Sequence, residues 1–365
     1  MVATAQRFME LHPHVDIRWQ VRSLQEFADY PIEELAKRFD LLVIDHPSIG
    51  QVAEHDALLP LDDFLPRRFL QDQARNSVGR SHESYRFGGH QWALAIDVAA
   101  PISGWRPDLL KAAGAAVPDT WPDLLSLARR GLVALPGLAI DSLMNFYMLC
   151  AALGEDPFGL PDRIVDRQIG ITALQMLREL MSLCDAECFC RNPIATWQEL
   201  SMGDTVAYCP FAYGYSNYSR RGYSEHVIET GGLVKVDGGG VCRSTLGGAG
   251  LAISARCQDK EIALCYAQHV AGGDCQKTIY FDAGGQPGYR GAWLDEEVNR
   301  RCNNFFSSTL PTIEAAYLRP RFNGYLAFQD AAAPMVHKYL VEGGQEKTVL
   351  NEMNRMLAQF QIEAE

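Results

Sequence analysis

Four consecutive aliphatic residues, Leu41-Leu42-Val43-Ile44, run without interruption into Asp45-His46-Pro47-Ser48. The run is far too short to cross a membrane and has the length of a fully buried strand. Pro47 and Ser48 can open a helix, and Ile49, Val52 and Ala53 follow at helical spacing. The segment closes in Leu58-Leu59-Pro60-Leu61-Asp62-Asp63. A buried strand that carries polar side chains to its carboxyl edge and returns through a helix is a βα unit of a parallel sheet. Open α/β sheets bind their ligands at such edges.

This unit belongs to a chain of 365 residues, more than one ordinary core holds, so two lobes or domains are expected. Hydrophobic and charged contents of 47% and 21% fit a soluble globular protein. The net charge of −12 is spread along the chain and disfavours a nucleic-acid or anionic-membrane partner. No apolar run approaches the roughly 20 residues of a membrane helix. No signal-peptide pattern precedes the amphipathic stretch that begins at Val2. The 10 cysteines suit an intracellular enzyme as readily as an exported protein with a few bridges.

In chain order, Val2 to Leu11 reads as a helix. Val15 to Val21 alternates strictly, with Val15, Ile17, Trp19 and Val21 on one face, and reads as a strand. Ser23 to Phe39 should form two short helices around Pro31. Arg67 to His90 reads as polar loops, Gln91 to Pro101 as a strand, and Trp105 to Gly114 as a helix. Thr120, Pro122 and Asp123 form a helix start with a cap and its reciprocal partner. A short strand (Leu132 to Leu135) and helices at Asp141 to Leu153, Asp166 to Cys184 and Ile194 to Met202 follow. Thr205 to Cys209 is a strand feeding an aromatic loop that holds Tyr213, Tyr215 and Tyr218. A glycine-rich turn near Val234, with Gly238-Gly239-Gly240, leads to Gly247-Gly248-Ala249-Gly250-Leu251-Ala252-Ile253 and a helix at Lys260 to Ala271. The final third is largely helical, with no internal repeat.

Four of these segments stand in the order found in one family. They are the strand ending in Asp-x-Pro with its Leu-Leu-x-Leu-Asp-Asp sequel, the Pro-x-Thr-Trp-x-x-Leu helix start, the Gly-Gly-Ala-Gly strand, and the helix after it. Together they resemble the carbohydrate-type extracellular solute-binding proteins that serve ABC importers. The resemblance implies an α/β, two-lobed periplasmic-binding-protein-like fold, each lobe a mainly parallel sheet flanked by helices and joined by a multi-segment hinge. It places residues 1–98 and 247–300 in one lobe and 99–246 and 301–365 in the other. It implies a sugar held in an inter-lobe cleft by hinge closure, delivered to a membrane permease, and no chemistry.

A sugar asks for carboxylate, amide or guanidinium partners to its hydroxyls and aromatic rings against its C–H faces. Tyr213, Tyr215 and Tyr218 either pack a lobe edge or stack on ligand. Asp97, ending a buried run, is a cleft hydrogen-bonding group or a turn cap. His46 is favoured over Asp45 to face the cleft. Arg290 and Arg321 sit in Gly/Pro/Asn turns, as ligand clamps or as surface residues paired with carboxylates. Gly248 completes the ligand-binding set: His46, Asp97, Tyr213, Tyr215, Gly248, Arg290 and Arg321. Trp121 reads as packing.

Catalytic patterns are missing from the sequence. The glycine clusters lack a Gly-Lys-Ser/Thr ending, and neither G-x-S-x-G nor H-E-x-x-H occurs. Cys184-x3-Cys188-x-Cys190 has no second pair at zinc spacing, which leaves a bridge within the cluster or buried thiols. The expectation is a monomeric receptor with no enzyme activity, cofactor, metal or nucleic-acid partner, located in the periplasm or outside the cell. The alternative is an intracellular carbohydrate-active enzyme or sensor on the same fold. The family's mature chain opens with a strand, whereas this one opens with a helix. The resemblance therefore implies a gap between Val15–Val21 and Leu41–Ile44, and a reading frame that extends upstream of Met1.

Overall fold

The run Leu41–Ile44 is a strand, β1, in the computed structural model, which describes all residues except 23–30, 161–162, 237–239 and 363–365. The first helix expected before Pro31 and the glycines Gly238 and Gly239 lie outside the described residues. The further strands are β2 (Arg86–Phe87), β3 (His90–Gln91), β4 (Leu94–Ala99), β5 (Pro101–Trp105), β6 (Tyr208–Tyr213), β7 (Glu229–Gly231) and β8 (Gly247–Ile253). The chain divides into two compact units. One holds Met1–Ala99, Leu246–Arg300 and Arg321–Asn323; the other holds Ala100–Thr245, Arg301–Pro320 and Gly324–Glu365.

In the first unit the sheet order is β1-β8-β4, with Leu41 opposite Ile253 and Leu94 opposite Leu251. Alternation along these strands feeds a separate core on each face. Leu94, Ile96, Leu251 and Ile253 pack with Phe8 and Tyr266, and Leu41 and Val43 lean on the same cluster. Leu42, Ile44, Ala95 and Ala252 pack on the other face with Ile49, Val52, Tyr85 and Trp92. Each buried Leu or Ile contributes about 1.5–3 kcal/mol, so both faces hold the sheet.

The direction of the ladders departs from the sequence reading. The α/β class holds, but β8 runs antiparallel to both β1 and β4, not parallel. The physical reason is connectivity. A parallel neighbour needs a crossover from the adjacent strand, whereas β8 enters from residues of the second unit and can insert in the opposite sense. Val15 to Val21 departs as well. Val15, Ile17 and Trp19 are half-buried and Asp16, Arg18 and Gln20 exposed, as alternation requires, but Val21 is 88% exposed and the segment joins no named strand. A groove of about 700 Å³, lined by His14–Arg22 and Phe39–Val43, separates it from β1, so no ladder forms. Arg67 to His90 is structured rather than looped: helices Arg67–Arg75 and Ser81–Ser84 precede the β2–β3 hairpin. Phe69 and Leu70 anchor that stretch on the core, and the buried Gln73 donates to the Ala271 carbonyl at 3.1 Å.

In the second unit β5 lies between β6 and β7, again antiparallel. The expected strand at Leu132 to Leu135 makes a single parallel bridge, Val133 to Tyr208. Trp105 ends β5 rather than starting a helix, which spans Pro107–Ala112. Its register opposite Tyr208 and Glu229 holds it in the sheet until Pro107 opens the helix. The helix Ala139–Ala152 is buried at every position from Asp141 onward, so it is apolar nearly all round and packs on Tyr325–Glu342 and Arg167–Ser182. The helix Trp121–Ala128 opens with the expected box: Asp123 N donates to Thr120 Oγ1 at 3.3 Å, and Thr120 N to Asp123 Oδ2 at 3.1 Å. Trp121 itself is buried.

Candidate functional site

Asp97 lies on β4 where the β4–β8 register shifts between Ala95 and Asp97. The irregularity frees its carboxylate to bind chain from elsewhere in the same unit. Asp97 Oδ2 accepts from Tyr280 Oη at 3.1 Å and from the Gln286 N–H at 3.0 Å. Gln286 Nε2 returns a bond to the Val98 carbonyl at 2.7 Å, and Gln276 Oε1 accepts from Gly288 N at 2.7 Å. Burial pushes the Asp97 carboxyl up to about 6, against the two hydrogen bonds that pull it down. A carboxylate so placed accepts hydroxyl donors and has one oxygen already tied to the Gly284–Gly288 turn.

Gly248 sits opposite Val98 with φ +132°, and a Cβ there would come within 2.3 Å of the Asp97 carbonyl oxygen. Only glycine meets both demands. Gly248→Ala should therefore cost the first unit about 2–4 kcal/mol, read as a lower unfolding midpoint. A midpoint unchanged from the parent would show that β4 and β8 part without cost. Arg290 begins the helical turn Arg290–Trp293, and its N–H donates to the Asn76 carbonyl at 2.6 Å.

His46 and Arg321 are placed as parts of the fold. His46 is 1% exposed; its N–H donates to Asp45 Oδ1 at 2.8 Å, and its ring stands edge-on to Tyr85 at 6.2 Å. The sequence shows the polar strand end but not that Tyr85 covers it. Arg321 Nη1 donates to the carbonyls of Glu83 at 2.6 Å, Ser84 at 3.2 Å and Arg86 at 2.8 Å. These oxygens lie at and just beyond the end of the helix Ser81–Ser84, where carbonyls lack helical partners. The expected clamp grips its own chain.

In the second unit Tyr213 ends β6, its hydroxyl 3.2 Å from Thr245 Oγ1, and its carbonyl accepts from Trp197 Nε1 at 2.7 Å. Tyr215 follows, half-buried, before the turn Ser216–Ser219. Tyr218 is buried, with its ring edge-on to Tyr223 at 5.3 Å, so it packs. Trp105 is the aromatic that the sequence reading missed. Its Nε1 donates to Glu229 Oε2 at 3.0 Å, and Gly231 lies under its ring, where a Cβ would come within 3.1 Å. Carrying a strand through to Trp105, rather than starting a helix there, would have shown it. Tyr280 and Gln276 were missed too, because only the fold brings them to Asp97 and the Gly284–Gly288 turn.

Among the described residues, Asp62, Asp63 and His90 bring three metal-type donor atoms within 4.8 Å of one another. Asp62 already binds His90 Nδ1 at 3.1 Å and the Gln91 N–H at 2.8 Å, which ties the Leu61–Asp63 turn to β3. The chemistry present is that of polar binding: a carboxylate, backbone-lined glycine turns, and aromatic rings beside hydroxyls.

Residues 1–175 match the family described as bacterial extracellular solute-binding protein. No curated protein sequence matches the chain. Among solved structures, maltose-bound MalE3 of T. maritima superposes with a TM-score of 0.84 at 19% identity, covering 98% of this chain and 94% of that one. An ABC transporter solute-binding protein of Agrobacterium radiobacter K84, in complex with ribitol, gives 0.82 at 18% identity over 100% and 94%. The GacH receptor of Streptomyces glaucescens GLA.O, solved unliganded and with acarbose, gives 0.81 at 16% identity over 100% and 95%. At such identities the likeness is one of fold.

Proposed function

We propose that this chain, a bacterial extracellular solute-binding protein through its residues 1–175, is the receptor of an ABC importer for a carbohydrate or related polyol. The family match carries the reading. Support comes from the fold, shared over nearly the whole chain with proteins solved holding maltose, ribitol and acarbose. The permease of the importer is the membrane partner, and the receptor holds its ligand without altering it. The proposed place of work is outside the cytoplasmic membrane, as the family's description states; no described helix is long and apolar enough to cross one.

Of the residues expected to touch ligand, Asp97, Gly248 and Arg290 form the first unit's proposed share, and Tyr213 and Tyr215 the second's, to which Trp105 is added. His46 and Arg321 serve the fold of the first unit instead, His46 against Tyr85 and Arg321 on the carbonyls of Glu83, Ser84 and Arg86. A carboxylate and aromatic faces suit hydroxyl-rich, uncharged ligands. The net charge of −12 supports a role without nucleic acid, as a monomer.

A thermal-shift screen of neutral sugars, polyols, sugar acids and amino acids tests the reading. At about 100 times its Kd a ligand adds roughly 2.7 kcal/mol to stability, a shift of several degrees. The expected responders are sugars or polyols. A transition moved only by divalent metal, or only by amino acids, would overturn it.

A further inference from the structure

We infer that Asp141, with the free amides of its helix end, is a ligand-binding group of the second unit that recognises an uncharged hydroxyl. The inference rests on the transport reading and narrows its ligand to neutral sugars and polyols. Asp141 occupies the third position of the helix Ala139–Ala152. At the same position of the helix Trp121–Ala128, Asp123 closes a box with Thr120. Before the Asp141 helix stands Leu138 instead, which has no polar side chain to cap it. Asp141 is 6% exposed, yet its Oδ2 has no hydrogen-bond partner among the described residues. The N–H groups of Ala139, Ile140 and Asp141 lack acceptors there as well. A buried carboxylate without a partner costs stability, and such groups concentrate where a ligand completes them.

The fold carries this helix end to a sheet edge. Val133 bridges Tyr208 in parallel, with Tyr208 N donating to the Leu132 carbonyl at 3.0 Å and Ala134 N to the Tyr208 carbonyl at 3.1 Å. Both segments therefore leave the sheet at one carboxyl edge, β6 through Tyr213 and the other through Pro136 toward Asp141. Open α/β sheets bind ligands at such edges. The turn is fixed by other groups: Ser142 Oγ and His337 Nδ1 donate to the Gly137 carbonyl at 3.0 Å and 2.8 Å, and Asn145 Nδ2 to that of Pro136 at 3.2 Å. These bonds occupy the carbonyls of the turn and leave the carboxylate and the amides. Leu138 and Ile140, 37% and 38% exposed, keep the helix start at the surface and offer apolar contact to C–H faces. Amides donate and a carboxylate accepts, and a hydroxyl answers both at once. An ammonium would satisfy the carboxylate but oppose the positive helix end, and an anion would oppose the carboxylate.

The test titrates the full chain and D141N by calorimetry at pH 8. The probes are a panel of neutral sugars and polyols, maltose and ribitol among them, with glucuronate as the anion and glucosamine as the cation. The parent should bind a neutral probe more tightly than either charged one. D141N should weaken that neutral probe about 10- to 100-fold, while unfolding at or above the parent's midpoint. A carboxyl that serves only the fold would change the midpoint and leave the affinity alone. L138K places an ammonium three residues ahead of Asp141 from an exposed position, and should weaken the same probe with the carboxyl still present. D123N, at the capped helix, should bind as the parent does. Equal affinity of parent and D141N for a neutral probe would overturn the inference and leave the transport reading standing, as would tighter binding of glucuronate or glucosamine. A parent that binds no carbohydrate would overturn both.

Discussion

Replacing Gly50 by alanine is expected to destabilise the first unit by about 3–5 kcal/mol, although helix propensity alone argues the reverse. Gly50 lies inside the helix Ile49–Glu54 with no positive φ, and there alanine is ordinarily worth about 1 kcal/mol more than glycine. A Cβ at this position, however, would come within 1.7 Å of the Arg321 carbonyl oxygen and within 2.9 Å of the Phe322 carbonyl carbon. Backbone cannot rotate aside as a side chain can, so the segment Arg321–Asn323 must lift away. Lifting it breaks the three bonds from Arg321 to the carbonyls of Glu83, Ser84 and Arg86, and the bond from Asn323 Nδ2 to Glu54 Oε2. Bonds from a charged donor are worth about 1.5–3 kcal/mol each, and the freed carbonyls keep part of that through water. The loss exceeds the propensity gain several-fold. For a unit of this size the unfolding midpoint should drop by roughly 10 °C. Arg321→Ala, which removes the bonds without the clash, should fall between parent and Gly50→Ala. If Gly50→Ala unfolds at or above the parent's midpoint, the packing of Arg321–Asn323 on this helix is refuted.

Asp141→Asn should stabilise the protein at pH 8 by about 2 kcal/mol and do nothing favourable near pH 4. Asp141 is 6% exposed in the first turn of the helix Ala139–Ala152, and its Oδ2 has no hydrogen-bond partner. Burial pushes its carboxyl from 3.8 up to about 7. The helix dipole at that end favours a carboxylate by only about 0.3–1 kcal/mol, so desolvation wins. The sign follows from proton uptake. A carboxyl raised on folding binds its proton more tightly in the native state, so its penalty is absent below about pH 4. The penalty grows as pH rises toward 7 and is complete above it. The ceiling is about 4 kcal/mol for the ionised group, and the asparagine amide, itself needing partners, returns part of that. Urea midpoints for parent and variant between pH 4 and 8 should diverge steadily as pH rises. A residual downward slope near pH 6 remains with Asp97, which is raised in the same sense. A difference that does not change with pH, or an asparagine variant less stable at pH 8, would show that the carboxyl is better solvated than its surroundings indicate.

What the sequence determined by itself is the local grammar. The apolar run Leu41–Ile44, the alternation at Val15, Ile17 and Trp19, and the Thr120–Asp123 box each depend on residues within a few positions of one another, and each is visible in the chain alone. The order of four such segments carried the family resemblance and the α/β class. Strand direction was not legible, because antiparallel β8 is defined by partners some two hundred residues away, not by its own composition. The polar candidates divided on the same ground. Asp97 meets Tyr280 and Gln286 across about 190 residues of chain, and Arg321 meets Glu83 across more than 230, so tertiary structure alone decided their partners. A charged residue in a Gly/Pro turn is consistent with a ligand clamp and with a structural clamp alike. Desolvation and the nearest unpaired carbonyl choose between them, and both are properties of the packed fold.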